Sequence, residues 1–280
     1  MRSISPPSET TSKLLKLCAE SVRDGGLKIR LYGLDSTLKA QESKYKARAA
    51  TSSLFKMLES RNVGDWVSGD EMSDLYDKTF VKSAKTRSIY NSIKLLAPKG
   101  ICPLCNQRGV STLDHHLPKA YHPALAISPV NLVPACKDCN TDSSARRLMT
   151  SADQTLHPYY HSVDHAVWLT GSFDPVALAV TFSADPPPHW PPDLSDIVRN
   201  HFKEFGLNAL YSTHAAVEIV NIGYDMASVF SAGGSAVVSA DLSEKAANRR
   251  KVVRNTWQAA LYDALATSSF FCGGGFKKFI

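Results

Sequence analysis

Near the start of the chain, Leu14, Leu15, Cys18 and Val22 recur at intervals of one to four residues, which predicts one buried face of a helix ended by Gly25-Gly26. A second helix is expected from about Thr37 to Ser60. Ser68-Gly69-Asp70-Glu71 has the Ser-x-x-Glu form of a capping box, and Val81, Ile89, Ile93 and Leu96 carry an apolar stripe from there to Pro98-Lys99-Gly100. Lys78, Lys82 and Lys85 share that helix at i, i+4 and i+7; a solvated face is the simpler reading, a face that tracks phosphates the alternative. Val176 to Phe182 reads as a short strand, and Pro186-Pro187-Pro188 with Pro191-Pro192 as a stiff loop. From Leu194 the pattern is helical again, with a break expected at Gly206 and a linker at Ser231-Ala232-Gly233-Gly234-Ser235. Asp241 and Glu244 are placed to cap a last helix that carries Lys245, Arg249, Arg250, Lys251 and Arg254 ahead of the apolar Trp257, Leu261 and Leu265.

Composition adds limits to this outline. A chain of 280 residues that is 44% hydrophobic and 21% charged can bury a sizeable core, which excludes wholesale disorder. The longest stretch free of Asp, Glu, Lys and Arg is the 17 residues from Ala120 to Cys136, and it holds His122, three prolines and Asn131. A membrane helix needs about 20 apolar residues, so no membrane partner is expected. Met1 to Ser12 is Ser/Thr/Pro-rich, reads as loose and lacks the apolar core of a signal peptide, so the expected compartment is the cytoplasm. Net charge is +6, spread unevenly: +7 over residues 1–100, +2 over 101–150, −7 over 151–240 and +4 over 241–280. Basic ends suit a polyanion such as nucleic acid, although so mild an excess is more simply an ordinary solubility feature.

Cysteines in a reducing compartment point to metal before disulfide when they come in close pairs. Cys102-Pro103-Leu104-Cys105 and Cys136-Lys137-Asp138-Cys139 are two such pairs, 30 residues apart. Two C-x-x-C turns supply the four thiolates of a closed, structural Zn2+ site, which has no open position for chemistry. Lone Cys18 and Cys272 read as buried thiols. Trp66, Trp168, Trp190 and Trp257 read as core or domain-contact residues, and His157, His161 and His165 as surface or packing residues.

Between and beside the cysteine pairs stand Asp114-His115-His116-Leu117-Pro118-Lys119 and Asn131-Leu132-Val133-Pro134, with Asn140 directly after Cys139. This order of elements, C-x-x-C, Asp-His-x-x-Pro, Asn-Leu-x-Pro, C-x-x-C-Asn, resembles the HNH endonucleases, the ββα-metal or His-Me finger family. The match covers Ile101 to Thr150. Leu156-His157-Pro158-Tyr159-Tyr160 is also similar to the segment that follows the finger in a group of bacterial HNH proteins with a helical N-terminal region.

The resemblance implies an α+β, mostly helical protein in three parts: a helical region over 1–97, an HNH finger over 98–150 braced by the four-cysteine zinc site, and a mixed, then helical region over 151–280. It implies His115 as general base and Asp114 and Asn140 as ligands of a catalytic Mg2+ or Mn2+. Pro118, three positions after the base, selects His115 over His116. Asn131 would brace the loop between the two strands. Arg146 and Arg147 would either clamp phosphate or lie on an exposed helix face, and Lys119 with Arg249, Arg250 and Arg254 completes the expected nucleic-acid contacts. Many relatives carry a lysine a few residues after the metal-binding Asn, where this chain has Thr141-Asp142-Ser143-Ser144.

The implied activity is hydrolysis of DNA phosphodiesters, with a homodimer, or an ATPase or other subunit of a restriction or antiphage defence system, as partner. Two other readings stand beside it: a non-catalytic zinc module that binds nucleic acid, and an HNH-type nuclease acting on RNA.

Overall fold

The computed structural model describes residues 1–143 and 147–280. It is mostly helical with small antiparallel two-stranded sheets, an α+β class. No helix among the described residues is long and apolar enough to cross a membrane. The chain divides into two compact units, Met1–Ser162 and Val163–Ile280. That division differs from the expected boundaries: residues 1–97 and 98–150 share one unit, and the first dozen residues of the expected C-terminal region belong with them. The cause is packing, since His157 and Tyr160 lie against Tyr45 inside the first unit.

In the first unit, α1 (Thr11–Ser21) is capped by the Thr10 side chain and buries Leu14, Leu15, Cys18 and Ala19. Gly25-Gly26 opens a helix where an end to α1 was expected, because the Asp24 carboxylate accepts from the Leu27 N–H and so caps α2 (Gly25–Tyr32). Next comes α3 (Asp35–Ala50), which ends ten residues short of the expected Ser60, at a turn where Ser52 takes a positive φ of 51°. A minimal hairpin of β1 (Asn62–Val63) and β2 (Val67–Ser68) leads into α4 (Gly69–Asp74), whose capping box is formed by Ser68 and Glu71 in both directions. The expected single helix onward to Pro98 is interrupted. A π-helical turn, Leu75–Phe80, follows α4, and Ser83 then caps a separate α5 (Ala84–Lys94) that buries Ile89, Tyr90 and Ile93.

Strand β3 (Thr112–His115) pairs antiparallel with β4 (Leu132–Ala135) in the register Asp114↔Val133 and His115↔Leu132, and α6 (Lys137–Ser143) comes at once after it. The core under this sheet joins the helices to it: Leu14, Leu31, Leu38, Phe80, Ile89 and Ile93 form one buried cluster with Leu113, Ile127 and Leu132. The chain start, expected loose, is tied down. Met1 is buried, the Arg2 N–H donates to the Pro103 carbonyl and the Ile4 N–H to that of Pro158.

In the second unit, β5 (Leu169–Asp174) and β6 (Ala179–Ala184) form a hairpin, followed by α7 (Pro192–Glu204), α8 (Leu207–Val252), α9 (Trp257–Ala266) and α10 (Ser269–Cys272). Gly206 breaks the chain between α7 and α8 at φ 56°. The expected linker is instead a break inside α8 at Gly233-Gly234, with φ 69° at Gly234, and helix continues on both sides. The expected last helix stops at Val252, and a new one begins where Thr256 caps α9. Asn255 holds that junction: its Oδ1 accepts from the Trp168 and Leu169 N–H groups and its Nδ2 donates to the Ala166 carbonyl. Trp168, Trp190 and Trp257 are buried, whereas Trp66, in the first unit, is 54% exposed.

Candidate metal centre and active site

The four paired cysteines converge. The Sγ atoms of Cys102, Cys105, Cys136 and Cys139 all lie within 4.8 Å of one another, and all four residues are buried. Tetrahedral Zn–S bonds of about 2.3 Å require sulfur separations of about 3.8 Å, so this donor set fits a Zn2+ ion. Backbone N–H groups point at two of the sulfurs: Arg108 N–H at the Cys105 Sγ (3.4 Å) and Cys139 N–H at the Cys136 Sγ (3.5 Å). Such donors favour thiolate over thiol. Arg108 beyond the first pair also bridges to Asp138 inside the second, at 2.9 Å. No disulfide joins any of the six cysteines, and Cys18 and Cys272 are buried as well.

Next to this cluster, Asp114, His115, Pro118, Lys119 and Asn140 line one cavity of about 370 Å³. The sheet delivers the first two from β3, and the tight C-x-x-C turn that starts α6 delivers Asn140, whose N–H donates to the Cys136 carbonyl. Asp114 and His115 are buried. The His115 Nε2 is 2.8 Å from the Ala126 carbonyl. A carbonyl only accepts, so Nε2 carries the proton and Nδ1 keeps the lone pair. Burial pushes the His115 pKa down to about 4, the Ala126 bond works against that shift, and the charge of Lys119 adds to it.

The loop from His116 to Asn131 shapes the floor behind β3. Asn131 is fully buried and spans it, accepting from the Leu117 N–H at 2.8 Å while its amide donates to the carbonyls of Leu117 (2.9 Å) and Leu125 (3.3 Å). His116 is turned away from the cavity into a buried His/Tyr cluster. Its ring lies 4.1 Å from that of His157, which bonds the Tyr45 hydroxyl at 2.8 Å. His161 completes the cluster, with its Nδ1 accepting from the His157 N–H and its other ring nitrogen bonded to Ser52 Oγ.

The remaining predicted contacts are dispersed. Lys119 lines the cavity with its Nζ 2.5 Å from Asp77 and over the Tyr76 ring. Arg147 is ion-paired with Glu59 and lies over Tyr121. Arg146 lies outside the described residues. In the second unit, Arg250 pairs with Asp263 and donates to the Arg254 carbonyl, Arg254 donates to the His165 carbonyl, and Arg249 lies beside the Tyr262 hydroxyl.

Three cavity-lining residues from the N-terminal helices escaped the sequence reading, Tyr76, Asp77 and Tyr90, and Val81, expected only as part of an apolar stripe, lines the cavity with them. The Tyr76 ring stands edge-on to His115 with centroids 4.4 Å apart, and its hydroxyl donates to the Leu113 carbonyl at 3.3 Å. The π-helical turn that aims Tyr76 and Asp77 has no reliable sequence signature, although such turns gather at functional sites.

Among known proteins, the chain is similar to protein ea31 of Escherichia phage lambda, 24% identical over 299 residues, an alignment that takes in 98% of this chain and 100% of ea31. No family model matches the chain, and no solved structure matches it.

Proposed function

We propose that this protein is a metal-dependent endonuclease of the HNH type that hydrolyses phosphodiester bonds of DNA. The observation that carries the reading is the meeting of Asp114, His115 and Asn140 in one cavity beside the four-cysteine cluster. Two strands and then a helix, in the order β3, β4, α6, fit the finger of that family, with the cysteine cluster as its brace.

A carboxylate and an amide oxygen suit a hard divalent cation, so Asp114 and Asn140 would hold Mg2+ or Mn2+. When bound, such an ion supplies charge stabilisation to phosphate oxygens and to the departing 3'-oxygen. The chain's own contribution is the base. His115, fixed through Nε2 on the Ala126 carbonyl, takes the proton of a water at Nδ1 as the water oxygen attacks phosphorus. The P–O3' bond breaks and the 3'-oxygen takes a proton from solvent, leaving a 5'-phosphate and a 3'-hydroxyl. The edge of Tyr76 limits how far the imidazole can rotate, and the cavity walls shield the reacting water.

A restriction or antiphage setting, with an ATPase as companion subunit, extends this proposal on the strength of the family resemblance alone. The reading is tested by incubating the purified protein with supercoiled plasmid, linear DNA and RNA in Mg2+, in Mn2+ and in EDTA. Cleavage of DNA in metal and none in EDTA is expected. Failure to cut any substrate in either metal overturns the reading, and cleavage of RNA alone replaces it with a ribonuclease.

A further inference from the structure

We propose that Arg87 and Lys94, on either side of Tyr90 in α5, form a second nucleic-acid contact that holds the phosphodiester backbone flanking the scissile phosphate. This rests on the nuclease reading and assigns part of the substrate path to a helix outside the HNH-like segment.

Several basic residues of this unit already have carboxylates. Lys78 pairs with Asp74 at 2.8 Å, Lys85 with Glu20 at 3.5 Å, Lys119 with Asp77 at 2.5 Å and Arg147 with Glu59. Arg87 and Lys94 differ. Arg87 Nη1 donates to the Val81 carbonyl and Lys94 Nζ to the Ser111 carbonyl, both at 2.9 Å. Among the described residues neither has a carboxylate within ion-pair distance. A carbonyl fixes a cation without neutralising it, and each side chain keeps further N–H donors for a phosphate oxygen.

Both charges also lie on a ring that lines the cavity. The Arg87 guanidinium lies 4.9 Å and the Lys94 Nζ 5.8 Å from the centre of the Tyr90 ring. Tyr90, Val81 and Thr112 line the cavity with His115, so the ring and both anchoring segments are at or next to the wall. Residues 87 and 94 are two turns apart on one helix, about 10 Å along its axis. The charges themselves both lie on the Tyr90 ring, 4.9 and 5.8 Å from its centre and so less than about 11 Å apart, within the span of neighbouring phosphates of a single strand. Because carbonyl and ring hold them in advance, little side-chain freedom is left to lose on binding.

The test uses the full chain carrying His115→Ala, so that DNA is bound and not cut. Binding of fluorescein-labelled 30-mer single strand and duplex is followed by anisotropy over a salt series. Arg87→Gln with Lys94→Gln keeps donors for the two carbonyls and removes both charges. It should weaken binding roughly tenfold and reduce the slope of log K against log salt by about 1.4 to 1.8. Arg87→Lys should restore part of that loss, and Lys78→Ala with Lys85→Ala should leave the slope unchanged. An unchanged slope in the double Gln variant overturns the inference while leaving the nuclease reading intact. A background protein that binds no nucleic acid at any salt overturns both. Melting curves of each variant separate a binding defect from loss of fold.

Discussion

At position 115 a neutral imidazole can act only through Nδ1, because Nε2 is held by the Ala126 carbonyl. General-base removal costs about 100- to 10,000-fold, so His115→Ala should nearly abolish cleavage with zinc content and melting temperature unchanged. The neighbouring His116 packs on His157, so His116→Ala should lower the melting temperature first. A dead, fully stable His116→Ala beside an active His115→Ala would reverse the assignment. Since burial holds His115 at about 4, the acid limb of the pH–rate profile should lie below pH 6, and a limb centred on 6.5 or above would contradict the buried base. Stability carries a related signature. Burial also lowers His161 to about 4, and its Nδ1 accepts from a backbone N–H, a bond that a protonated ring must break. The folded value lies below the unfolded one of about 6.5, so the unfolded chain binds more protons between them. The stabilisation is therefore complete above pH 6.5 and declines as pH falls toward 4. A melting temperature that drops between pH 6.5 and 5, and drops less in His161→Gln, is the expected result.

The two C-x-x-C turns bracket β3 and β4, so the cysteine cluster ties both ends of the element that carries Asp114 and His115 to the start of α6, which carries Asn140. Thiolates select Zn2+ over the hard cation expected at the oxygen ligands. Protein purified without chelator should contain about one zinc per chain by elemental analysis. Cys136→Ser should then lower solubility or melting temperature as well as activity, because a structural zinc contributes folding free energy directly. Folded protein free of zinc would sink the four-cysteine assignment. These elements were legible in the chain because their residues are close in sequence and restricted in chemistry: thiols in C-x-x-C pairs, Asp next to His, Asn after Cys. The far wall of the cavity was not. Tyr76, Asp77 and Tyr90 are ordinary helix residues by pattern, and a π-helical turn and a Ser83 cap, which split one apolar stripe into two helices, bring them to His115. Gly25-Gly26 misled for a similar reason, since the Asp24 cap converts a helix ender into a helix start.

Across the whole molecule, every described residue of the proposed active site belongs to the unit Met1–Ser162, and the basic cluster Arg249, Arg250 and Arg254 belongs to the other. Within that second unit, two of the three arginines are already engaged in tying the end of α8 to its neighbours, Arg250 to Asp263 of α9 and Arg254 to the His165 carbonyl. On the proposed reading, the described residues of one chain offer one base, His115, and one pair of oxygen ligands, Asp114 and Asn140. The two strands of a duplex present their scissile phosphates with opposite polarity, so a single such site cuts one strand per visit. Cutting both in one binding event needs two chains related by a two-fold axis, each addressing one strand. On supercoiled plasmid in Mg2+ an open-circular product should therefore appear before the linear one, and EDTA should stop both. Linear product from the outset, with no nicked precursor and a rate that climbs steeply with protein concentration, would instead identify a dimer or larger assembly as the active species.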